Sequence, residues 1–169
     1  GLTGLQEMAL VPAGVDYSEQ HIVAALSQPR PDRVMIIAQA FRHGFTVEEI
    51  YKHCKYDTWY LERIKGLVDH EETLRKNGLP KNFSDWMQTK QLGFSDARIA
   101  DLTGKKTEEV TKQRQKANVR PVYKRVDTCS AEFPSNTSYM YSTYESNGIA
   151  PGECEARPSD RKKVIIIGS

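Results

Sequence analysis

Two short stretches, GFTVEEI at residues 44–50 and GFSDARI at residues 93–99, decide the fold prediction. Each begins with a glycine suited to ending a helix, continues with a hydroxyl residue suited to capping the next one, and reaches an isoleucine. The two stretches lie 49 positions apart, and the same spacing aligns three further pairs: Thr58 with Thr107, Leu61 with Val110, and Arg63 with Lys112. The pattern predicts two similar helical units. A chance match is the alternative, because the matched stretches are short.

Apolar residues recur at helical spacing from residue 33 to residue 118, and no segment between them has the pattern of a strand. Residues typical of helix starts and ends divide this part of the chain into short helices, and one more fits before it. The predicted helices cover residues 18–26, 33–43, 46–53, 58–76, 83–91, 95–102 and 107–117. Their predicted N-caps are Ser18, Asp32, Thr46 (with Glu49 completing a capping box), Asp57, Ser95 and Thr107.

The chain changes character after residue 118. Residues 119–145 are rich in Val, Tyr, Thr and Ser, which predicts an extended segment with one or two short strands, and residues 146–160 have loop composition. Residues 164–167 have the composition of a buried parallel strand, and a lone terminal strand suggests a piece of a longer protein. The predicted fold class is therefore all-α, with two small helical subdomains, as a duplication would produce, and an extended C-terminal tail.

The composition excludes several classes of protein. The chain has 169 residues, 38% of them hydrophobic, so a lean core is expected, and no apolar run approaches the roughly 20 residues of a membrane span. A net charge of +2 argues against a dedicated nucleic-acid binder, although residues 103–126 hold eight basic and two acidic side chains. The three scattered cysteines argue against a disulfide framework or a zinc finger, and they fit a reducing, cytoplasmic setting.

No pattern predicts a catalytic, cofactor-binding or metal-binding residue. The four histidines are scattered, and adjacent His53 and Cys54 would point about 100° apart on a helix. We interpret the histidines as structural or solvent-facing and the cysteines as packing thiols. The carboxylate pairs at residues 48–49, 71–72 and 108–109 are interpreted as solvated helix faces.

Two non-enzymatic alternatives stay open at this point. The segment from Ser95 to Asn118 resembles a helix-turn-helix nucleic-acid module, with Lys112, Arg114 and Lys116 as candidate phosphate contacts. Against it, the second helix begins with two glutamates, where a recognition helix normally meets DNA. A helical adaptor that binds a partner protein is the other alternative. For Tyr139, Tyr141 and Tyr144, packing on a neighbouring domain is favoured over base stacking.

Several longer stretches carry a family resemblance. Residues 121–129 (PVYKRVDTC), 131–133 (AEF) and 139–145 (YMYSTYE) resemble the large subunit of carbamoyl-phosphate synthetase. The resemblance extends to AFRHG at residues 40–44, DTWYL at 57–61 and GFSDARIA at 93–100, and it ends in residues 160–168. It covers nearly the whole chain and is weakest over residues 1–30.

The resemblance implies a position within the parent chain, between two homologous ATP-grasp synthetase halves. Residues 1–31 correspond to the tail of the preceding half and a linker, and residues 32–118 to the helical oligomerisation or connection domain. Residues 119–163 correspond to an extended segment and linker, and residues 164–169 to the first strand of the following half. The chain itself is therefore expected to be a non-catalytic connector.

The resemblance also implies the activity of the parent, a ligase that makes carbamoyl phosphate for arginine and pyrimidine biosynthesis. It uses bicarbonate, two ATP, Mg or Mn, and ammonia from glutamine, which a small glutaminase subunit supplies. The family's ATP and metal residues lie in the synthetase halves, so none is assigned here. The implied partners are the neighbouring synthetase domains, the small subunit and further copies of the chain, with no nucleic acid and no membrane.

Overall fold

The computed structural model describes residues 18–127, 129, 132–133, 139–157 and 159–164. Within these residues, seven helices are followed by two strands, which confirms the all-α prediction with an extended tail. The helices are α1 Glu19–Leu26, α2 Arg33–Arg42, α3 Val47–Cys54, α4 Thr58–Asn77, α5 Phe83–Gln91, α6 Asp96–Thr103 and α7 Thr107–Lys116; the strands are β1 Val122–Arg125 and β2 Met140–Thr143. Residues 1–17 and 165–169, which include most of the predicted terminal segments, lie outside the described residues.

The helices bury two separate apolar cores. Helices α1 to α3 and the first part of α4 enclose the first core, in which Ile37, Ile50 and Leu61 are fully buried. Helices α5 to α7 and the last turns of α4 enclose the second, around Trp86 and Ile99. Two helical subdomains therefore form as predicted. Helix α1 packs into the first core although it precedes the predicted domain start at residue 32; the predicted domain boundaries stay a prediction.

The predicted repeat has one backbone geometry in both copies. Gly44 and Gly93 have φ angles of 87° and 91°, the left-handed region that favours glycine. Thr46 then accepts a hydrogen bond from the N–H of Glu49 at 3.2 Å, and Ser95 accepts one from the N–H of Arg98 at 3.0 Å. These matching turns place Ile50 and Ile99 in corresponding positions of the two cores.

Three of the predicted helix caps are wrong in detail. Asp32 and Ser18 occupy N-cap positions without capping, because Asp32 accepts hydrogen bonds from Arg30 and Ser18 bonds the His21 ring instead. Thr107 is the first helical residue of α7, and Lys106 is its N-cap.

One further cap was not predicted. Asn82 caps α5 by accepting a hydrogen bond from the N–H of Asp85 at 2.9 Å.

Helix α4 belongs to both subdomains. At 20 residues it is about 30 Å long, enough to span two small cores. Leu61 and Val68 lie in the first core, and Leu74 lies in the second. The two subdomains therefore share one continuous helix.

The tail forms an antiparallel hairpin that a later segment reinforces. β1 pairs with β2 in the register Val122 with Thr143 and Arg125 with Met140. The N–H of Glu155 then donates to the Tyr123 carbonyl at 2.8 Å, while the Glu155 carboxylate accepts from the N–H of Arg125 at 2.7 Å. The predicted loop thus returns to the hairpin. No helix in the described part of the chain is long and apolar enough to cross a membrane.

Gly66 weakens the middle of α4. The residue is exposed, and a Cβ added there would meet no atom within 4 Å. We expect Gly66→Ala to raise the free energy of unfolding by about 0.5–1 kcal/mol, because alanine removes backbone freedom from the unfolded chain without steric cost. Urea denaturation followed by circular dichroism measures the change. Gly78→Ala is the control and should destabilise the protein, since Gly78 has a φ of 76°; a loss of stability with Gly66→Ala would contradict the argument.

Candidate functional site: charged links between the subdomains and an aromatic groove

Glu71, on the part of α4 that lies between the two cores, links the two subdomains. Its carboxylate accepts hydrogen bonds from Arg42 of the first subdomain, from Nε at 3.0 Å and from Nη2 at 3.1 Å. It also accepts one from Nη2 of Arg98, in the second subdomain, at 2.9 Å. Helix α2 and helix α6 are therefore held to the same side chain. We call these three residues the Glu71 cluster.

The Glu71 cluster is largely shielded from water. The Glu71 side chain is 6% exposed and that of Arg98 is 12% exposed. Burial works to raise the pKa of Glu71, but the hydrogen bonds and charges of Arg42 and Arg98 outweigh it, so the pKa is lowered. The prediction that the pair at 71–72 is a solvated face is therefore wrong for Glu71. Sequence reasoning missed this residue because helical periodicity does not reveal which arginines face a carboxylate.

Asp96 organises a second cluster inside the second subdomain. Its carboxylate accepts hydrogen bonds from Lys90 at 2.9 Å, from Thr111 at 2.9 Å and from Nη2 of Arg114 at 2.8 Å. Arg114 in turn donates to the carbonyl of Val119 at 2.8 Å, where the tail leaves α7. The Asp96 cluster, formed by these residues, therefore joins α5, α6, α7 and the start of the tail.

Burial and the hydrogen bonds within the Asp96 cluster shift the pKa values of its charged groups. Desolvation alone would raise the pKa of Asp96, yet the hydrogen bonds from Arg114 and Lys90 lower it to about 2. Burial lowers the pKa of Lys90, and the hydrogen bond to Asp96 raises that of Arg114. The Arg114 side chain is only 11% exposed. It is therefore engaged inside the subdomain and does not offer the phosphate contact that the helix-turn-helix alternative assigns to this residue.

The tail docks on the second subdomain through Tyr144. Nε2 of Gln91 donates to the Tyr144 carbonyl at 3.0 Å, and Nζ of Lys90 lies 5.2 Å from the centre of its ring. The Tyr144 ring also packs against the second core. Tyr139 and Tyr141, by contrast, are 72% and 50% exposed. Only Tyr144 of the three tyrosines is thus engaged with the helical body within the described residues.

An aromatic groove lies on the other subdomain, between the end of α3 and the first turns of α4. It has a volume of about 540 Å³, and its apolar and aromatic lining residues are Val34, Tyr56, Tyr60, Ile64 and Leu67. Val34 of α2 is 38% exposed at this groove. Trp59, beside the groove, is 56% exposed and Tyr60 is 60% exposed. Helical periodicity alone does not distinguish these aromatics from core residues.

The histidines and cysteines do not converge on a site. Nε2 of His70 lies 2.9 Å from Oγ1 of Thr89, and burial lowers the His70 pKa. The ring of His21 bonds Ser18, the N-cap residue of α1, and the ring of His43, which follows α2, bonds Gln39. His53 is part-exposed beside Cys54, which is buried in the first core. Cys129 and Cys154 are part-exposed on the tail. Among the described residues, no group of three or more His, Cys, Asp or Glu side chains is arranged to hold a metal ion.

Comparison with known proteins gives the family. The sequence profile described as "Carbamoyl-phosphate synthetase large chain, oligomerisation domain" matches residues 2–118. The chain belongs to this family. The resemblance seen in the sequence is thereby confirmed, and nothing in the comparisons supports the nucleic-acid alternative.

Relatives extend the similarity beyond the helical domain. The carbamoyl phosphate synthase large chain of Rhizobium meliloti (strain 1021) is 49% identical over 170 residues, covering 99% of this chain and 14% of the relative. That of Brucella melitensis biotype 1 is 47% identical, with 99% and 14% covered. That of Neisseria meningitidis serogroup A is 48% identical over 144 residues, covering 85% of this chain and 13% of the relative. The chain therefore spans about one-seventh of the length of these relatives.

Proposed function

We propose that this oligomerisation domain acts as a rigid connector that fixes the two synthetase halves of a carbamoyl-phosphate synthetase large chain relative to each other. The Glu71 cluster is the observation that carries the proposal, because it holds helices from both subdomains to the helix that they share. The docked tail supports the same role, since it leads from the second subdomain toward the following half. In this proposal residues 1–31 continue from the preceding half, and residues 119–163 lead to the strand at 164–169.

The parent would be a glutamine-dependent, cytoplasmic ATP-grasp ligase that supplies carbamoyl phosphate to arginine and pyrimidine biosynthesis. Its first half would form carbamate from bicarbonate and ammonia, with ATP, and its second half would phosphorylate the carbamate. Because carbamate is unstable in water, a fixed distance between the halves favours its transfer. The parent's further partners would be a small glutaminase subunit and other copies of the large chain.

The chain itself would take no part in the chemistry. ATP and Mg or Mn would bind in the synthetase halves, and the donor groups of the described residues do not fit a metal, because no group of three suitable side chains converges. Its carboxylates at Glu71 and Asp96 are each occupied by two basic side chains. We therefore propose that this chain has no catalytic, cofactor-binding or metal-binding residue and no activity of its own.

The connector role can be tested in the full-length parent. Glu71→Gln should increase the ATP consumed per carbamoyl phosphate formed by about twofold, because a looser connector lets carbamate escape between the halves. The partial reaction of each half, measured separately, should stay unchanged. Parallel assays of ADP release and carbamoyl phosphate give the ratio.

Asp69→Asn is the matched control for this experiment. Asp69 lies on the same helix, and within the part of the chain that the structure describes its carboxylate pairs only with Lys65, in an exposed contact, so the ratio should not change. If Glu71→Gln separates the unfolding of the two subdomains yet leaves the ratio of ATP to product at the wild-type value, then a rigid connector is not required.

A further inference from the structure

The internal repeat allows the residues of the aromatic groove to be compared with those at corresponding positions of the second subdomain. Helices α4 and α7 start at corresponding residues, Thr58 and Thr107. The next two positions are Glu108 and Glu109 in α7, which suit the positive end of a helix dipole. In α4 the same two positions are Trp59 and Tyr60, both more than half exposed. The first turn of α7 therefore carries two glutamates, whereas the corresponding turn of α4 carries two exposed aromatic side chains.

The turn before α4 also departs from its counterpart in the repeat, because it has a lysine where the turn before α7 has a glycine. Gly104 ends α6 in the left-handed conformation, with φ 65° and ψ 27°. Lys55 ends α3 in almost the same conformation, with φ 58° and ψ 21°, although a residue with a Cβ is strained there. Residues in strained backbone conformations are enriched at functional sites, where the surrounding structure holds them in place. The Lys55 side chain lines the aromatic groove.

Two basic residues, Lys55 and Arg63, and one acidic residue, Asp57, line the groove, which gives it a basic rim. Arg33, Lys55 and Arg63 lie over the rings of Tyr56, Tyr51 and Trp59, at 5.3, 5.0 and 5.3 Å from the ring centres. Lys55 and Arg63 form no ion pair with a carboxylate within the described ranges, whereas Arg33 donates from Nε and Nη2 to the Leu26 carbonyl at 3.0 and 2.7 Å. The carboxylate that lines the groove, Asp57, accepts a hydrogen bond from the N–H of Trp59 as the cap of α4.

This combination selects one kind of occupant. Exposed Trp and Tyr with basic neighbours are the residue types that dominate protein interfaces, and a basic rim complements carboxylates. A second copy docking groove to groove about a two-fold axis would bring like charges together, which opposes that arrangement. The fit is to a segment that presents an apolar side chain flanked by Asp or Glu.

We propose that the aromatic groove is where one synthetase half of the same parent chain docks on this domain, through an acid-flanked apolar segment. The inference rests on the proposed function, because it takes the synthetase halves as neighbours of the domain. It adds which face of the connector is covered: the α3–α4 side of the first subdomain, centred on Tyr60.

Photo-crosslinking in the full-length parent tests this docking surface. Tyr60 is replaced by p-benzoylphenylalanine, the protein is irradiated, and the linked peptides are identified by mass spectrometry. Glu109, at the corresponding position of α7, receives the same replacement as a matched control. The expected result is a crosslink within one chain, from position 60 to an Asp- or Glu-containing peptide of a synthetase half, with a yield about fivefold above that from position 109.

Changing the charge of the basic rim, which Lys55 and Arg63 form, allows a second measurement. Arg63→Glu should lower the crosslink yield from position 60 about threefold at low salt, while Arg63→Lys should leave it unchanged. Lys112→Glu, at the position that the repeat aligns with Arg63, should also leave it unchanged. An equal effect of Arg63→Glu and Lys112→Glu would overturn the role given to the rim.

Two outcomes overturn the proposal as a whole. A crosslinked product of twice the chain mass on a denaturing gel would show that a second copy occupies the groove. A yield from position 60 no higher than that from position 109 would show that the groove is open to solvent. Neither outcome touches the connector role, which fails only if the ratio of ATP to product is insensitive to Glu71→Gln.

Discussion

Asp96→Asn is expected to lower the free energy of unfolding by about 3–4 kcal/mol. The substitution leaves the largely buried cations of Lys90 and Arg114, 7% and 11% exposed, facing each other without the carboxylate that lies between them. An uncompensated buried charge is among the most destabilising changes available to a small domain. Urea denaturation followed by the fluorescence of Trp86, which is 2% exposed in the same core, measures the loss.

The same carboxylate predicts how stability depends on pH. The pKa of Asp96 in the folded protein is about 2, below its usual 3.8, so the unfolded chain takes up the proton first as the pH falls. The contribution of about 2 kcal/mol is fully present above pH of about 4 and is lost as the pH falls toward 2. In Asp96→Asn this part of the acid dependence should disappear.

Asp69→Asn is the control for both measurements, because its carboxylate lies in an exposed pair. We expect it to change the free energy of unfolding by less than about 0.5 kcal/mol. A loss below about 1 kcal/mol in Asp96→Asn would mean that the cluster does not hold the second subdomain together.

Glu71→Gln is expected to separate the unfolding of the two subdomains, in addition to lowering stability by about 3 kcal/mol. The substitution removes the charge that both Arg42 and Arg98 face. Nε of Arg98 is already buried without a hydrogen-bond partner among the described residues, and Nη1 donates to Asp101 at 2.7 Å, so Glu71 supplies one of the two carboxylates that this guanidinium faces. The subdomains then remain joined by the backbone of α4 and its apolar contacts.

The separation can be measured with one probe for both subdomains and another for the second alone. In a Trp59→Phe background, Trp86 reports the second core, while circular dichroism reports helices of both cores. The two transitions should coincide with Glu71 present and diverge in Glu71→Gln. Glu72→Gln, a neighbouring change at a side chain that is 63% exposed, should leave them coincident. Coincident transitions in Glu71→Gln would show that the cluster does not couple the subdomains.

Local patterns predicted most of the helical architecture. The spacing of apolar residues, together with the caps at Thr46, Asp57 and Ser95, gave helix ends within one or two residues of those observed. The predicted caps at Ser18, Asp32 and Thr107 were wrong, because a cap needs its side chain free and correctly placed. Ser18 bonds the His21 ring, Asp32 bonds Arg30, and Thr107 lies one residue past the N-cap position. The contacts that carry the proposed function could not be predicted in this way. Glu71 and its neighbour look alike in sequence, but only Glu71 faces two arginines that lie 29 and 27 residues away.

The two helical units and their shared turn geometry follow from local sequence, because capping, glycine turns and apolar periodicity act between residues close along the chain. The family follows from the longer motifs that the chain shares with known large chains. Long-range packing sets which charges are buried and paired and which aromatic side chains stay exposed. It buried Glu71 and Asp96 between cations and left Trp59 and Tyr60 at the surface beside a basic rim. The reason is physical: the burial of a side chain depends on how helices far apart in sequence pack together, and periodicity within one helix does not contain that information.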